Sequence, residues 1–110
     1  MKKLVITAIA FAFAGAAQAG NPEAGHEKSR TCAACHGPEG NSTMGDFPKL
    51  AGQHYDYLIK ALRDYKTGKR KNAIMAPQAA SLSERDMDDL AAYYSHQQGL
   101  VTRKNSYLVH

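Results

Sequence analysis

The chain of 110 residues contains no tryptophan and only two cysteines. At most one disulfide can therefore form, which excludes the small secreted scaffolds that several disulfides hold together. No segment shows the alternation of apolar and polar residues that is typical of a half-buried strand. Internal repeats are also absent from the sequence. We therefore expect an all-α protein.

A strong charge excess is missing as well, and so is a long apolar run beyond the first 20 residues. Fourteen basic and 10 acidic residues give a net charge of +4, which is too mild to indicate a nucleic-acid-binding protein. A transmembrane helix needs about 20 consecutive apolar residues. We therefore expect no nucleic-acid partner and no membrane span in the mature chain.

The N-terminal 19 residues have the pattern of a secretory leader. Two lysines precede an apolar run over residues 4–14, and a small-x-small triplet ends at Ala19. This order predicts a signal peptide that is cleaved after Ala19 and a periplasmic protein. An uncleaved anchor is the alternative, although the run is short for a span. We expect a domain over residues 20–99 and a C-terminal extension over residues 100–110.

Helices are predicted at both ends of the domain. An Asn-Pro pair suits the cap and the first position of a helix, and it predicts a first helix over residues 22–31. Near the other end, Ser83 and Asp86 have the spacing of a capping box. The last helix is therefore expected to begin at Ser83 and to end at Gly99.

A middle helix is predicted between two long loops. Five apolar residues fall on one helical face, and a glycine at position 68 can end the helix. These residues are Tyr55, Leu58, Ile59, Leu62 and Tyr65. Residues 37–53 and 69–82 are expected to be the loops. Three main helices bury little core in so short a chain, so we expect a cofactor to fill the interior.

The two cysteines lie in the stretch Cys32-Ala33-Ala34-Cys35-His36. A thioredoxin-like redox pair would need a preceding strand, a zinc site would need a fourth ligand, and a plain disulfide suits an exported protein. Cys-x-x-Cys-His is also the attachment motif of haem c, in which two thiols bond the haem and the histidine ligates the iron. This last function is the one that we predict: one haem c, bound covalently through two thioether bonds.

The other face of the iron needs a second ligand if His36 holds the first. Met75 lies in the second loop beside Pro77, where its thioether is free to reach a metal. His54 is the alternative, because imidazole is the other common sixth ligand. Met44 follows the cysteine motif too closely to cross easily to the far face. We predict that His36 and Met75 are the metal ligands.

The order of these features resembles that of class I c-type cytochromes. The matching stretches are "AGHEKSRTCAACHG", "FPKLAGQHYDYLIKALRDYKTGKR" and "IMAPQAASLSERDMDDLAAYYSHQ". Within the family, the chain is most similar to one half of the two-haem periplasmic cytochromes, or to a single-haem relative. The resemblance implies a small cytochrome c fold wrapped around one haem. It also implies that the Pro48 carbonyl accepts a hydrogen bond from His36, and that Gly25 lets two helices meet near Tyr93 or Tyr94.

The function implied by this resemblance is one-electron transfer between larger redox proteins, towards an oxidase. The partners would be a membrane oxidoreductase complex or a terminal oxidase. Two protein ligands leave no open iron position for a substrate, so we expect no enzymatic activity. A peroxidase-like haem enzyme and a ligand-sensing haem subunit are the alternatives, and the enzyme would need a labile sixth ligand.

Six basic residues form what we call the basic cluster. They are Lys60, Arg63, Lys66, Lys69, Arg70 and Lys71. A solvated helix face is one interpretation of such a charge run. A surface that steers a redox partner towards the haem edge is the other, because complementary charge raises encounter rates.

Overall fold

The structure is a computed structural model that describes residues 2–7 and 20–100. These residues contain helices and no strand, so the all-α prediction is confirmed for this part of the chain. The helices are α1 (Pro22–Lys28), α2 (Arg30–His36), α3 (Tyr55–Thr67), α4 (Met75–Ala80) and α5 (Glu84–Ser95), with a 3-10 turn at Pro38–Gly40. None of these helices has the length and apolarity that crossing a bilayer requires. Most of the predicted leader and of the C-terminal extension, residues 8–19 and 101–110, lies outside the described residues.

The predicted first helix is two helices in the structure. The side chain of Asn21 caps α1 by accepting a hydrogen bond from the Ala24 amide at 3.0 Å. Ser29 then ends α1 and precedes α2 directly, so the helix boundary at residue 31 was wrong. The cysteine motif lies within α2 as a result. Cys32 and Cys35 are three positions apart on this helix and share one face.

The expectation of a structureless loop over residues 69–82 was also wrong, because this segment contains α4. The Asn72 side-chain oxygen accepts hydrogen bonds from the amides of Ile74 and Met75, both at 2.9 Å. Pro77 is the third residue of α4. Amides in a first helical turn have no partner within the helix, so a proline there removes no hydrogen bond. The structure thus differs from the three predicted helices in two ways: the first is divided into α1 and α2, and the short helix α4 is additional.

Local start and stop residues define α3 and α5. Gly68 ends α3 in the left-handed conformation, with φ of 82°. Ser83 and Asp86 form both hydrogen bonds of the predicted capping box at the start of α5. That helix ends at Ser95 rather than at Gly99. The side-chain nitrogens of the two residues after Ser95 form hydrogen bonds with carbonyl oxygens in the last turn of α5, at 2.6 and 3.0 Å.

The core lies where α5 packs between α1 and α3. A Cβ atom placed on Gly25 of α1 would be 1.9 Å from the carbonyl oxygen of Asp89 and 2.7 Å from Cβ of Tyr93. Only glycine permits this approach of two backbones, which confirms the expected contact near Tyr93. The buried cluster consists of Leu58, Leu90, Ala91, Tyr93 and Tyr94. Because α5 is covered on both sides, it buries more residues than a single apolar stripe would.

Candidate functional site

A cavity of about 270 Å³ lies between α2, α3, α4 and the loop that follows α2. Its walls bring together all five residues that were predicted to bind the cofactor. They are Cys32, Cys35, His36, Pro48 and Met75. Close-packed interiors contain few voids larger than one water molecule, which takes up roughly 30 Å³. A space of this size is therefore a candidate binding site rather than a packing defect.

His36 is the most firmly held of these residues. Its side chain is buried at the C-terminal end of α2, and its Nδ1 lies 2.8 Å from the carbonyl oxygen of Pro48. A carbonyl oxygen can only accept a hydrogen bond, so Nδ1 carries a proton, and in the neutral imidazole Nε2 then has the lone pair. This tautomer is the one that a metal-ligating imidazole requires. The Phe47 ring meets the imidazole edge-on, with 6.2 Å between ring centroids.

A tight turn after α2 brings Pro48 back to His36. Gly37 and Gly40 have φ values of 81° and 80°, a region that residues with a side chain rarely adopt. The carbonyl oxygen of Gly40 accepts the amide of Leu50 at 2.8 Å and that of Ala51 at 3.1 Å. These bonds hold the returning loop against the turn, and they fix the backbone that carries the Pro48 carbonyl.

The cysteines are half-buried and form no disulfide. Burial raises the pKa of the Cys32 thiol, so this thiol is protonated at neutral pH. Beside it lies the hydroxyl of Tyr94, whose pKa is also raised, chiefly by burial. That hydroxyl is buried and has no hydrogen-bond partner among the described residues.

Of the candidates for a second metal ligand, Met75 lines the cavity, whereas His54 and Met44 do not, nor does another methionine of the domain, Met87. His54 is exposed at the N-terminus of α3. Met44 is 59% exposed, and Met87 is fully buried in the core. Met75 therefore shares the cavity with His36, whereas its bond to a metal stays a prediction.

The sequence analysis predicted helix α3 but did not identify it as a wall of the site. Its apolar face was predicted to pack in the core, and Leu58, Leu62 and Tyr65 of this face also line the cavity. Asn72 was missed too, although it positions the start of α4 and hence Met75. An asparagine that precedes a turn by two residues often bonds the backbone ahead of it, and this habit could have indicated its role.

The basic cluster is divided by its contacts. Three of its members lie on α3 and are engaged with neighbouring groups: Lys60 with Asp64, Arg63 with Glu84, and Lys66 with the Leu82 carbonyl. The other three follow α3 and are exposed. Arg70 lines the cavity and lies over the Tyr65 ring, 4.8 Å from its centroid. Lys69 and Lys71 form no ion pair within residues 20–100.

The paired thiols, the imidazole held by the Pro48 carbonyl and the cavity that these groups share fit a covalently attached haem. Residues 22–98 match the cytochrome c family, and the chain belongs to that family. Haem c is accordingly its cofactor.

Several relatives within the family are cytochromes c4. The protein of that name from Thiocapsa roseopersicina is 49% identical over 85 residues, which cover 76% of this chain and 44% of the relative. Cytochrome c-554(548) of Halomonas halodenitrificans is 43% identical over 83 residues, which cover 73% of this chain and 100% of the relative. The crystal structure of reduced recombinant cytochrome c4 from Pseudomonas stutzeri is 46% identical with a TM-score of 0.71, and the match covers 76% of this chain and 48% of that one. The chain thus spans about half the length of these cytochromes c4, and its resemblance to one half of a two-haem cytochrome is confirmed.

Proposed function

We propose that the protein is a periplasmic one-electron carrier. Cys32 and Cys35 would hold the haem covalently, and His36 and Met75 would be the axial ligands. One observation carries this proposal: a single cavity is lined by two thiols from one helix face, an imidazole with a free lone pair and a thioether. When bound, haem c supplies an iron centre that gains or loses one electron.

The role of Pro48 in this proposal is to orient His36. Its carbonyl oxygen holds the Nδ1 proton at 2.8 Å, which fixes the ring plane and the tautomer. Such a bond also makes the opposite nitrogen a better electron donor. His36 is then set in place before any ligand binds, and its Nε2 needs no rearrangement.

Met75 would have the matching role from α4, which lines the same cavity. It is the first residue of α4, and the Asn72 side chain bonds its amide and so holds the start of this helix. Two protein ligands would leave no iron position for a substrate, so we propose a carrier rather than an enzyme. A peroxidase-like enzyme is the alternative that would require Met75 to leave the metal readily.

Replacing Met75 with alanine tests the proposal. The ferric variant should lose the weak far-red band of sulfur-to-iron ligation, bind azide rapidly and have a lower reduction potential than wild type. Met44→Ala is the matched control, because Met44 is exposed outside the cavity, and it should leave all three properties unchanged. A Met75→Ala spectrum identical to that of wild type would move the ligand to His54 or Met44. Rapid azide binding by wild type would favour the enzyme.

Partners would dock at the mouth of the cavity. We propose that Lys69, Arg70 and Lys71 steer an acidic redox partner, either a membrane oxidoreductase complex or a terminal oxidase. None of these three residues forms an ion pair within residues 20–100, although Arg70 contacts the Tyr57 hydroxyl and the Tyr65 ring. Weak, small interfaces are typical of redox pairs, and long-range attraction raises their encounter rate.

A further inference from the structure

Gly20, the residue after the predicted cleavage point, is packed tightly against α5. It is buried, and a Cβ atom placed on it would be 1.9 Å from the carbonyl oxygen of Asp88 and 2.6 Å from the amide of Asp89. No side chain fits in this position. The domain therefore begins with a backbone-to-backbone contact rather than with a loose end.

The nitrogen of Gly20 enters a chain of hydrogen bonds. Its N–H donates to the Tyr55 hydroxyl at 3.2 Å, and that hydroxyl donates to Oδ1 of Asp88 at 3.3 Å. The next amide, of Asn21, donates to Oδ1 of Asp89 at 2.8 Å. The first nitrogen of the domain is thus linked to Asp88 through the Tyr55 hydroxyl, and the second is bonded directly to Asp89.

We propose that cleavage after Ala19 turns the Gly20 nitrogen into an ammonium group that Tyr55 and Asp88 hold against α5. Water would hydrolyse the Ala19–Gly20 peptide bond, which leaves a carboxylate on Ala19 and the ammonium on Gly20. Removal of the leader would then complete the contact between the start of the domain and α5. This inference rests on the proposed export of the protein, and it assigns the processed terminus a structural role.

The charges around this site favour Asp88 as the partner of the ammonium. Asp89 already lies 2.6 Å from Lys28 and 3.6 Å from Arg85. Asp88 forms no ion pair within the described residues. The charged and titratable groups that surround the site are Lys28 from α1, Tyr55 and Arg63 from α3, and Arg85, Asp86, Asp88 and Asp89 from α5. Arg63 of α3 interacts electrostatically with Asp88 but is engaged with Glu84 at 2.6 Å.

The first measurement is the N-terminal sequence and intact mass of the exported holoprotein. A chain that begins at Gly20 is expected, and any other first residue overturns the proposal. The second measurement compares the denaturant unfolding of this protein with that of a holoprotein that begins at Ala19. The added residue moves the ammonium away from Tyr55, so the unfolding constant should rise about threefold to tenfold at pH 6.

Charge, rather than packing, should account for this difference. An ammonium that gains a partner has a raised pKa, so its contribution is full below the unfolded value of about 8 and is lost as pH rises through the folded value. The two proteins should therefore unfold alike at pH 10. Asp88→Asn should abolish the difference at pH 6, whereas Glu23→Gln, which removes an exposed acid of α1, should preserve it.

A difference that survives in Asp88→Asn or at pH 10 would overturn the proposal. The proposed electron-transfer function is tested separately, because none of these variants touches the cavity. Their visible spectra and reduction potentials should equal those of wild type, whatever the unfolding data show.

Discussion

The α1–α5 crossing and the cavity differ in what completes them. At the crossing, Gly25 brings two backbones together, and the buried Asp89 has hydrogen-bond partners in Lys28 and Asn21. In the cavity, the walls stand apart, and the Tyr94 hydroxyl has no partner among the described residues. One part of the domain is thus packed with its own atoms, whereas the other takes the cofactor as its core.

Neighbouring residues of α5 join these two regions. Tyr93 packs on Gly25 and stacks on the His26 ring, with 4.9 Å between ring centroids. Tyr94, the next residue, lines the cavity beside Cys32. A loss of packing around Tyr94 in the cavity should therefore also disturb the packing of Tyr93 at the α1–α5 crossing, because the two residues are adjacent on α5.

The largest effect is expected when the cavity loses its covalent attachment. Replacing Cys32 and Cys35 together with serine should remove the haem from the purified chain and leave it largely unfolded, because the crossing alone buries too little to fold. Acid–organic extraction and far-ultraviolet circular dichroism measure the two losses. Each single variant should weaken haem retention. If haem extracts freely from wild type, covalent attachment is wrong.

Gly25→Ala addresses the crossing while sparing the cavity. The new Cβ would overlap the Asp89 carbonyl oxygen, so the free energy of unfolding should fall by about 1–3 kcal/mol or more. Gly45→Ala is the matched control, since its Cβ would have no atom within 4 Å. Denaturant titration measures the change, and the visible spectrum should stay that of wild type. Equal stabilities of the two variants would contradict the tight contact.

Acid should weaken the α1–α5 crossing. Bonds from the Ser83 amide and from Lys28 lower the pKa of Asp86 to about 2. Burial alone would raise the pKa of Asp89, but bonds from Lys28 and the Asn21 amide outweigh it, and the net pKa is lowered. Lowered values mean stability that is present above the unfolded pKa of about 4 and is lost as pH falls through the folded values.

Asp89→Asn distinguishes the contribution of this buried carboxylate to the loss of stability at low pH from the contributions of the other acidic residues. At pH 6 it should lower the free energy of unfolding by about 1–3 kcal/mol, because Lys28 loses a buried partner. The decline in stability between pH 5 and pH 2 should become shallower. Glu27→Gln is the control, since it removes an acid from an exposed ion pair with Arg30 that contributes little. Urea titrations across this range test both variants, and identical acid profiles would exclude Asp89 as the cause.

The smallest expected effect concerns the mouth of the cavity. Reversing Lys69, Arg70 and Lys71 to glutamate should lower the rate of electron transfer with the physiological partner by up to about tenfold at low salt. Reversing Lys60 and Arg63 should matter less, because both already pair with acids. Stopped-flow rates across a salt series measure the effect, with an unchanged visible spectrum as the control. A rate indifferent to salt and to the reversals would leave the solvated-surface interpretation standing.

Much of the fold follows from short-range sequence patterns. The Asn21 cap, the Ser83–Asp86 box and Gly68 each act within a few residues, and each was predicted correctly. The division at Ser29 and the existence of α4 were missed. A proline normally argues against a helix, and Pro77 is tolerated because it falls in the first turn of α4. That α4 forms at all depends on the tertiary packing around the cavity, which the local sequence does not show.

The site was less accessible to sequence reasoning where it depends on tertiary packing. Cys32, Cys35 and His36 are recognisable because the motif is local. The contact of His36 with Pro48 came from family resemblance alone, since nothing in the spacing dictates it. The isolated Tyr94 hydroxyl depends on how three helices meet, and the buried Asp89 looks like any solvated acid in the sequence.

The acceptor that orients His36 belongs to the main chain, and this has a consequence for evolution. Every amino acid at position 48 supplies the same oxygen, so no point substitution there deletes the bond as it would delete a side-chain acceptor. Substitutions can only shift the path of the loop and alter the bond length by small amounts. The reduction potential of the proposed haem would therefore drift in small, tolerable steps under mutation, and lineages could retune it without passing through an inactive intermediate.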